Sequence, residues 1–252
     1  MRLIERTLDL LELLSREKDM GFRELMENLG IPRATLSRLL KILKDRGYLR
    51  QDPYTRRYRL GSSILVIGAS VLDTLELREI ARPYMQKLLE KTNETIELAI
   101  LDDGALLYID KLESTESIRI FARIGSRYET LHATAPGKVM LAFGGKELLE
   151  NFLNRVGLRK FTEKTITEVE KLYRELEKIR RRGWAFDDEE VRIGVRRVAA
   201  PIFNYQGKLE GAIGIAGPSF RITEEKIEKF GKWVKETGEK VSLEFGFTGG
   251  EV

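Results

Sequence analysis

Between Pro32 and Arg59 the chain places nine basic side chains, Arg33, Arg38, Lys41, Lys44, Arg46, Arg50, Arg56, Arg57 and Arg59, against two acidic ones, Asp45 and Asp52. This local excess of +7 is larger than the +4 of the whole 252-residue chain, because residues 1–31 are net acidic and the residues after Leu60 carry 30 basic and 31 acidic groups. Guanidinium and ammonium groups concentrated in this way suit the binding of a polyanion through its phosphates. Thr35 and Ser37, interleaved with Arg33 and Arg38, add short hydrogen-bonding groups of the kind that read base edges in a DNA groove. The expected partner is double-stranded DNA.

Three helices and a hairpin must position these groups. Leu3, Ile4, Leu8, Leu11 and Leu14 recur at three- and four-residue steps, which predicts a first helix with one apolar stripe over a small core. A second helix carries Leu25, Met26 and Leu29 and stops at Gly30, after which Ile31-Pro32 opens a third. That third helix, Arg33 to Arg46, sets Leu36, Leu39, Leu40 and Leu43 on one side and a carboxylate-free face on another. Gly47 ends it, and Tyr48 to Gln51 and Arg56 to Leu60 read as strands around Asp52-Pro53-Tyr54-Thr55. A helix, a tight break, a helix and a basic hairpin make a winged helix-turn-helix, although a lone basic helix face is more often simply solvated. Arg33, Thr35, Ser37 and Arg38 are assigned to the major groove, Lys41 and Lys44 to phosphates, and Arg50, Arg56, Arg57 and Arg59 to the backbone or minor groove.

Gly61-Ser62-Ser63 forms a joint before the apolar stretch Ile64 to Leu72, which is either a core helix of a second domain or a helix packed on its twin in a dimer. Beyond it, a helix is expected at Glu79 to Glu90, with strands at Thr95 to Leu101, Ala105 to Leu112 and Ser117 to Ala122. Helices at Ala133 to Phe143, Lys146 to Asn154 and Thr167 to Arg182 follow. Strands at Trp184 to Asp187, Arg197 to Phe203 and Leu209 to Ala216 and a last helix, Glu224 to Val241, complete the order. Blocks of strands and helices imply an α+β multidomain chain: residues 1–61 for DNA binding, a linker helix at 62–75, and a domain at 76–252 with an antiparallel sheet flanked by helices.

Enzyme chemistry finds little to work with. The chain has no cysteine and one histidine, His132, so thiolate and zinc chemistry lack ligands, and His132 reads as a hydrogen-bonding group at a helix entry. Asp187-Asp188-Glu189-Glu190 has the residue types for acid/base work or a hard cation, but an acidic turn after a strand is usually solvated. Gly211, Gly214 and Gly217 match neither the dinucleotide nor the phosphate-loop spacing, and Arg180-Arg181-Arg182 before Gly183 suits a helix C-terminus. No cofactor and no metal are expected. The charged N-terminus lacks an apolar run and no stretch is long enough to span a membrane, so a cytoplasmic protein is expected. Two other readings are a small-molecule enzyme with an appended basic domain, which would need a reactive constellation, and a ligand-independent nucleic-acid binder, which has no use for a near-neutral domain of this size.

Ile4-Glu5-Arg6-Thr7-Leu8-Asp9-Leu10-Leu11, Ile31-Pro32-Arg33-Ala34-Thr35-Leu36-Ser37-Arg38-Leu39-Leu40 and Gly47-Tyr48-Leu49 resemble the winged helix of IclR-type bacterial transcriptional regulators. Leu131-His132-Ala133-Thr134-Ala135-Pro136-Gly137-Lys138-Val139-Met140-Leu141-Ala142, Gly194 to Phe203 and Gly211 to Pro218 are similar to the same family's effector-domain signatures. The resemblance implies a GAF-like C-terminal domain that binds a small organic or aromatic acid. It also implies a homodimer, or a dimer of dimers, on a near-palindromic operator, acting here as a repressor. Carried over by position, the effector pocket is lined by Ile118 and Phe121, closed by Glu129, capped by Ala135 and Pro136, and completed by Asp187, Val195, Arg197, Gly214 and Ala216. A helix opening near Thr134, with Lys138 one turn on, would suit a carboxylate. Pro136 removes one backbone donor from that cap, and Arg197 either clamps an acid or fills the space.

Overall fold

The computed structural model describes residues 2–72, 76–120 and 123–248. Two compact units divide the chain, Met1–Leu75 and Glu76–Val252.

In the first unit, α1 (Arg2–Arg16), α2 (Phe22–Leu29) and α3 (Arg33–Asp45) enclose Leu10, Leu14, Leu25, Ile31, Leu36, Leu39, Leu40 and Leu43. Gly30 adopts the left-handed conformation (φ 58°) that ends α2, a backbone state glycine enters at little cost, and Pro32 turns the chain directly into α3. Strands β1 (Leu49–Gln51) and β2 (Tyr58–Leu60) pair antiparallel with Leu49 opposite Leu60. Their tip is held by Asp52, whose Oδ1 accepts from the backbone N–H of Tyr54 (2.9 Å) and of Thr55 (2.8 Å). Both strands are therefore shorter than the sequence suggests. Met20 and Tyr58 exchange backbone hydrogen bonds of 2.9 and 2.7 Å, which fastens the hairpin to the segment before α2. The unit ends in α4 (Ser62–Leu72), making a winged helix-turn-helix with a helix behind it.

The stripe expected on α1 is corrected. Leu10 and Leu14 reach the core, with Leu11 and Leu13 packed partly against it, whereas Leu3, Ile4 and Leu8 stand 50, 68 and 54% exposed. One helix thus carries two apolar faces, and the core is wide enough to take only one of them.

The second unit holds α5 (Glu76–Thr92), β3 (Thr95–Asp102), β4 (Ala105–Leu112), β5 (Arg127–Tyr128), a 3-10 turn (Leu131–Ala133), α6 (Ala135–Phe143), α7 (Lys146–Arg155), α8 (Val169–Arg182), β6 (Ala185–Asp188), β7 (Val195–Phe203), β8 (Leu209–Pro218) and α9 (Glu224–Glu244). All six strands pair antiparallel in the order β5-β4-β3-β8-β7-β6. Because strand side chains alternate between faces, Ala99, Ala199 and Ala212 join Val139, Met140 and Leu176 in one core layer under α6 and α8. The strand expected at Ser117 to Ala122 is not formed by the described residues 117–120. Its backbone is held by side chains instead: the Ile118 carbonyl accepts from Arg221 (2.7 Å) and the Ile120 carbonyl from Thr95 (3.2 Å), while β5 takes the sheet edge beside β4. Among the described residues no helix is long and apolar enough to cross a membrane.

Candidate functional sites

On α3 the four leucines Leu36, Leu39, Leu40 and Leu43 are buried, and this fixes what the helix turns outward. Arg33, Ser37, Arg38, Lys41 and Lys44 are exposed and Thr35 is half-buried, with no carboxylate among them. Arg33 lies 6.0 Å from the ring centre of Phe22, and Lys44 donates to Gln51 of β1 (3.1 Å), tying helix and hairpin together. On the hairpin Arg50, Arg56 and Arg59 are exposed, and Arg50 donates to Ser62 at 3.3 Å. Arg57 is a correction. Its guanidinium pairs with Asp19 and, at 2.8 Å, with Glu24, and it donates to the Asp19 carbonyl (3.1 Å), so it serves the hairpin's own anchorage at the start of α2. Those hydrogen bonds hold Arg57 above its ordinary pKa, and the Gly21 backbone N–H (2.8 Å) together with Arg57 holds Glu24 below its own.

In the second unit a cavity of about 430 Å³ is lined by Glu97, Tyr108, Arg119, Ile120, Tyr128, Thr134, Val191, Arg192, Val195 and Arg197. At its floor the Arg197 guanidinium lies 3.5 Å from Glu97 and 3.2 Å from Asp187. Arg197 stands on β7 and Glu97 on β3, with β8 between them, so the long side chain crosses β8. The register puts Ala216 opposite Arg197 and Gly214 opposite Glu97, and side chains that small leave room for the crossing. Burial opposes the charge of Arg197, but Glu97, Tyr108 and Asp187 outweigh it and hold its pKa up. The same burial pushes the carboxyls of Glu97 and Asp187 and the hydroxyl of Tyr108 upward, against the pull of Arg197. Arg119 is half exposed and bonded to Glu113 (3.0 Å), and Arg192 is exposed with no ion pair among the described residues. Polar at its floor and cationic at its exposed end, the cavity can hold a small anion.

The family model described as "IclR helix-turn-helix domain" matches residues 3–53, and the one described as "Bacterial transcriptional regulator IclR C-terminal" matches residues 69–243. The chain belongs to the IclR family. The regulator KdgR of Escherichia coli is 32% identical over 94% of this chain and 90% of its own length. The repressor IclR of the same organism is 33% identical over 96% of this chain and 89% of its own. The crystal structure of the Thermotoga maritima IclR superposes with a TM-score of 0.83 at 32% identity, covering 98% of this chain and all of that one. Membership makes this IclR-type chain a DNA-binding transcriptional regulator and not an enzyme.

Of the ten effector positions carried over from the IclR family, Val195 and Arg197 line the cavity. Asp187 is buried behind Arg197, accepting from it and from the Glu190 backbone N–H (2.8 Å). Gly214 and Ala216 are buried in β8 at the strand Arg197 crosses, and Ala135 and Pro136 are buried at the start of α6, so none of the four lines the cavity. Ile118 is 63% exposed and its neighbours Arg119 and Ile120 take its place. Glu129 does not close the pocket. It is exposed and lines a separate cavity with Asp103 and Arg155, because strand alternation turns the preceding Tyr128 toward Tyr108 (ring centres 5.7 Å apart). Phe121 lies outside the described residues.

The start of α6 is also differently used. Thr134 accepts from the Gly137 N–H (3.1 Å), where a Cβ in place of the glycine hydrogen would fall 2.3 Å from the Leu131 carbonyl. Lys138 turns inward, buried, to pair with Glu190 and donate to the Phe186 carbonyl (2.8 Å). Burial pushes the Glu190 carboxyl up to about 7 despite that lysine. His132 is enclosed between Phe152 and Phe161 with Nε2 at 3.0 Å from the Arg159 carbonyl, and burial lowers its pKa. Arg180 and Arg182 satisfy the carbonyls of Ala142 (2.7 Å) and Trp184 (2.6 Å) around the C-terminus of α8. Sequence reasoning missed Glu97, Tyr108, Arg119, Ile120, Tyr128, Val191 and Arg192 in the cavity. All but Glu97 and Tyr108 stand within three residues of positions it singled out, and those two are strand residues whose face is set by the register.

Proposed function

We propose that the chain represses transcription by placing α3 in the major groove of an operator. Arg33, Thr35, Ser37 and Arg38 contact base edges, Lys41 and Lys44 contact phosphates, and Arg50, Arg56 and Arg59 of the hairpin follow the adjoining backbone or minor groove. The observation that carries this is the outward face of α3, rich in donors from Arg33 to Lys44 with its one carboxylate, Asp45, at the helix end, and fixed by four buried leucines on its other side. Repression is supported by relatives over 30% identical that are named repressors. The cavity between Glu97 and Arg192 binds the effector, a small organic acid, with Arg197 as its innermost cation.

The regulator works as a dimer in the cytoplasm, where its DNA is. The apolar residues Leu3, Ile4 and Leu8 of α1 and Leu65 and Val66 of α4, the last two 73 and 69% exposed, support a second copy as the covering surface. A symmetric pair then reads half-sites about 34 Å apart on a near-palindromic operator, and dimers can pair further. Selection of genomic fragments by the purified chain tests this: enrichment of near-palindromic fragments is expected, and uniform recovery of all fragments would contradict it.

A further inference from the structure

Five buried polar side-chain atoms lack a hydrogen-bond partner among the described residues, and two of them, Glu97 Oε1 and Arg197 Nε, belong to residues that line the same cavity. A buried polar group without a partner is costly, and folded proteins rarely tolerate one without a use for it. Here an acceptor and a donor lie side by side, since Arg197 Nε is 3.5 Å from the other oxygen of the Glu97 carboxylate. Glu97 is 2% exposed, so solvent does not readily serve it. A group that both gives and receives a hydrogen bond fits the two atoms together, and a hydroxyl is the smallest such group. An ammonium fits poorly, because it would sit beside the Arg197 guanidinium.

Resting on the effector reading above, we propose that the ligand is a hydroxylated carboxylic acid whose hydroxyl lodges between Glu97 and Arg197 and whose carboxylate faces Arg192 and Arg119. The division follows the exposure of the cationic residues, which runs from Arg197, 16% exposed, to half-exposed Arg119 and exposed Arg192. Only the exposed pair is free of the Glu97 and Asp187 carboxylates, and Arg192 has no ion pair among the described residues. Glu97 is thereby the residue that selects for the hydroxyl.

Isothermal titration calorimetry of the full chain with matched acids reads the hydroxyl directly: lactate against propionate, mandelate against phenylacetate, gluconate against hexanoate. The hydroxylated member of a pair that binds is expected to do so at least about tenfold more tightly. Glu97→Gln should shrink that ratio, and Arg192→Ala should weaken both members alike and leave the ratio unchanged. Equal affinities within every pair in the wild-type chain, or a preference undiminished by Glu97→Gln, would overturn the hydroxyl assignment while the effector reading stands. No binding by any of the six acids, with operator binding intact, would overturn both.

Discussion

Arg57 and Arg59 stand two residues apart on one hairpin and differ in what holds them. Arg59 is exposed, whereas Arg57 is committed to Asp19 and Glu24, 38 and 33 residues away in the chain. Arg57→Ala is expected to lower the melting temperature in calorimetry and leave the salt dependence of operator binding unchanged. Arg59→Ala should do the reverse, reducing the slope of log K against log salt by about one; the opposite pattern would contradict both assignments. On α3, Arg38→Ala should erode discrimination among base sequences, while Lys44→Ala weakens all sequences alike, and identical behaviour in salt-titrated assays would sink that division. Glu190 gives a pH signature. With its pKa raised from 4.5 to about 7, the folded chain holds a proton that the unfolded chain has released. Its contribution to stability is therefore full below pH 4.5 and lost as pH rises through about 7. A carbon-detected titration of the Glu190 carboxyl should find its midpoint near 7, not near 4.5. Charge at these positions was legible in the sequence, but partners were not: Arg57 and Arg59 look alike until tertiary structure brings Asp19 to one of them.

At the scale of elements, α3 depends on its leucine side. Leu36 is fully buried, and Leu36→Ala should cost about 2–5 kcal/mol of stability in urea unfolding; a negligible loss would mean that the helix is not seated as described. The apolar faces of α1 and α4 lead to a second expectation. Replacing Leu65 and Val66 together by Lys should shift sedimentation from dimer toward monomer, and an unchanged dimer would place the interface elsewhere. Periodicity located α1, α2 and α3 and the hairpin, though with longer strands, and Gly30 and Gly47 mark the stops after α2 and α3. It did not separate the core-facing Leu10 and Leu14 from the outward Leu3, Ile4 and Leu8, since hydrophobicity records a need for burial and not the identity of the neighbour. Among the described residues, 117–120 form no strand for a related reason: alternation permits a strand, but a strand also needs an unpaired edge, and β5 holds the edge beside β4.

For the whole molecule, although the joint at Gly61-Ser62-Ser63 lies inside the first unit, Met1–Leu75, the order of two units was legible from the helix-break-helix pattern. The cavity was not, because Glu97, Tyr108, Arg119, Tyr128, Thr134 and Arg192 come from separate segments that only the sheet register and loop packing assemble. An effector there alters DNA affinity only to the extent that it favours one arrangement of the DNA-reading units, a coupling of about 1–3 kcal/mol in typical regulators. The absence of cysteine allows a direct test of where α3 lies. Ser37→Cys supplies a single thiol on the outward face, and an iron chelate attached to it cleaves DNA wherever that face rests. With α3 in the major groove of a symmetric site, cleavage of a selected operator fragment should fall in two clusters about one helical turn apart, some 34 Å. Cleavage spread evenly along the fragment, or none above that of free chelate, would contradict the placement of α3 on DNA.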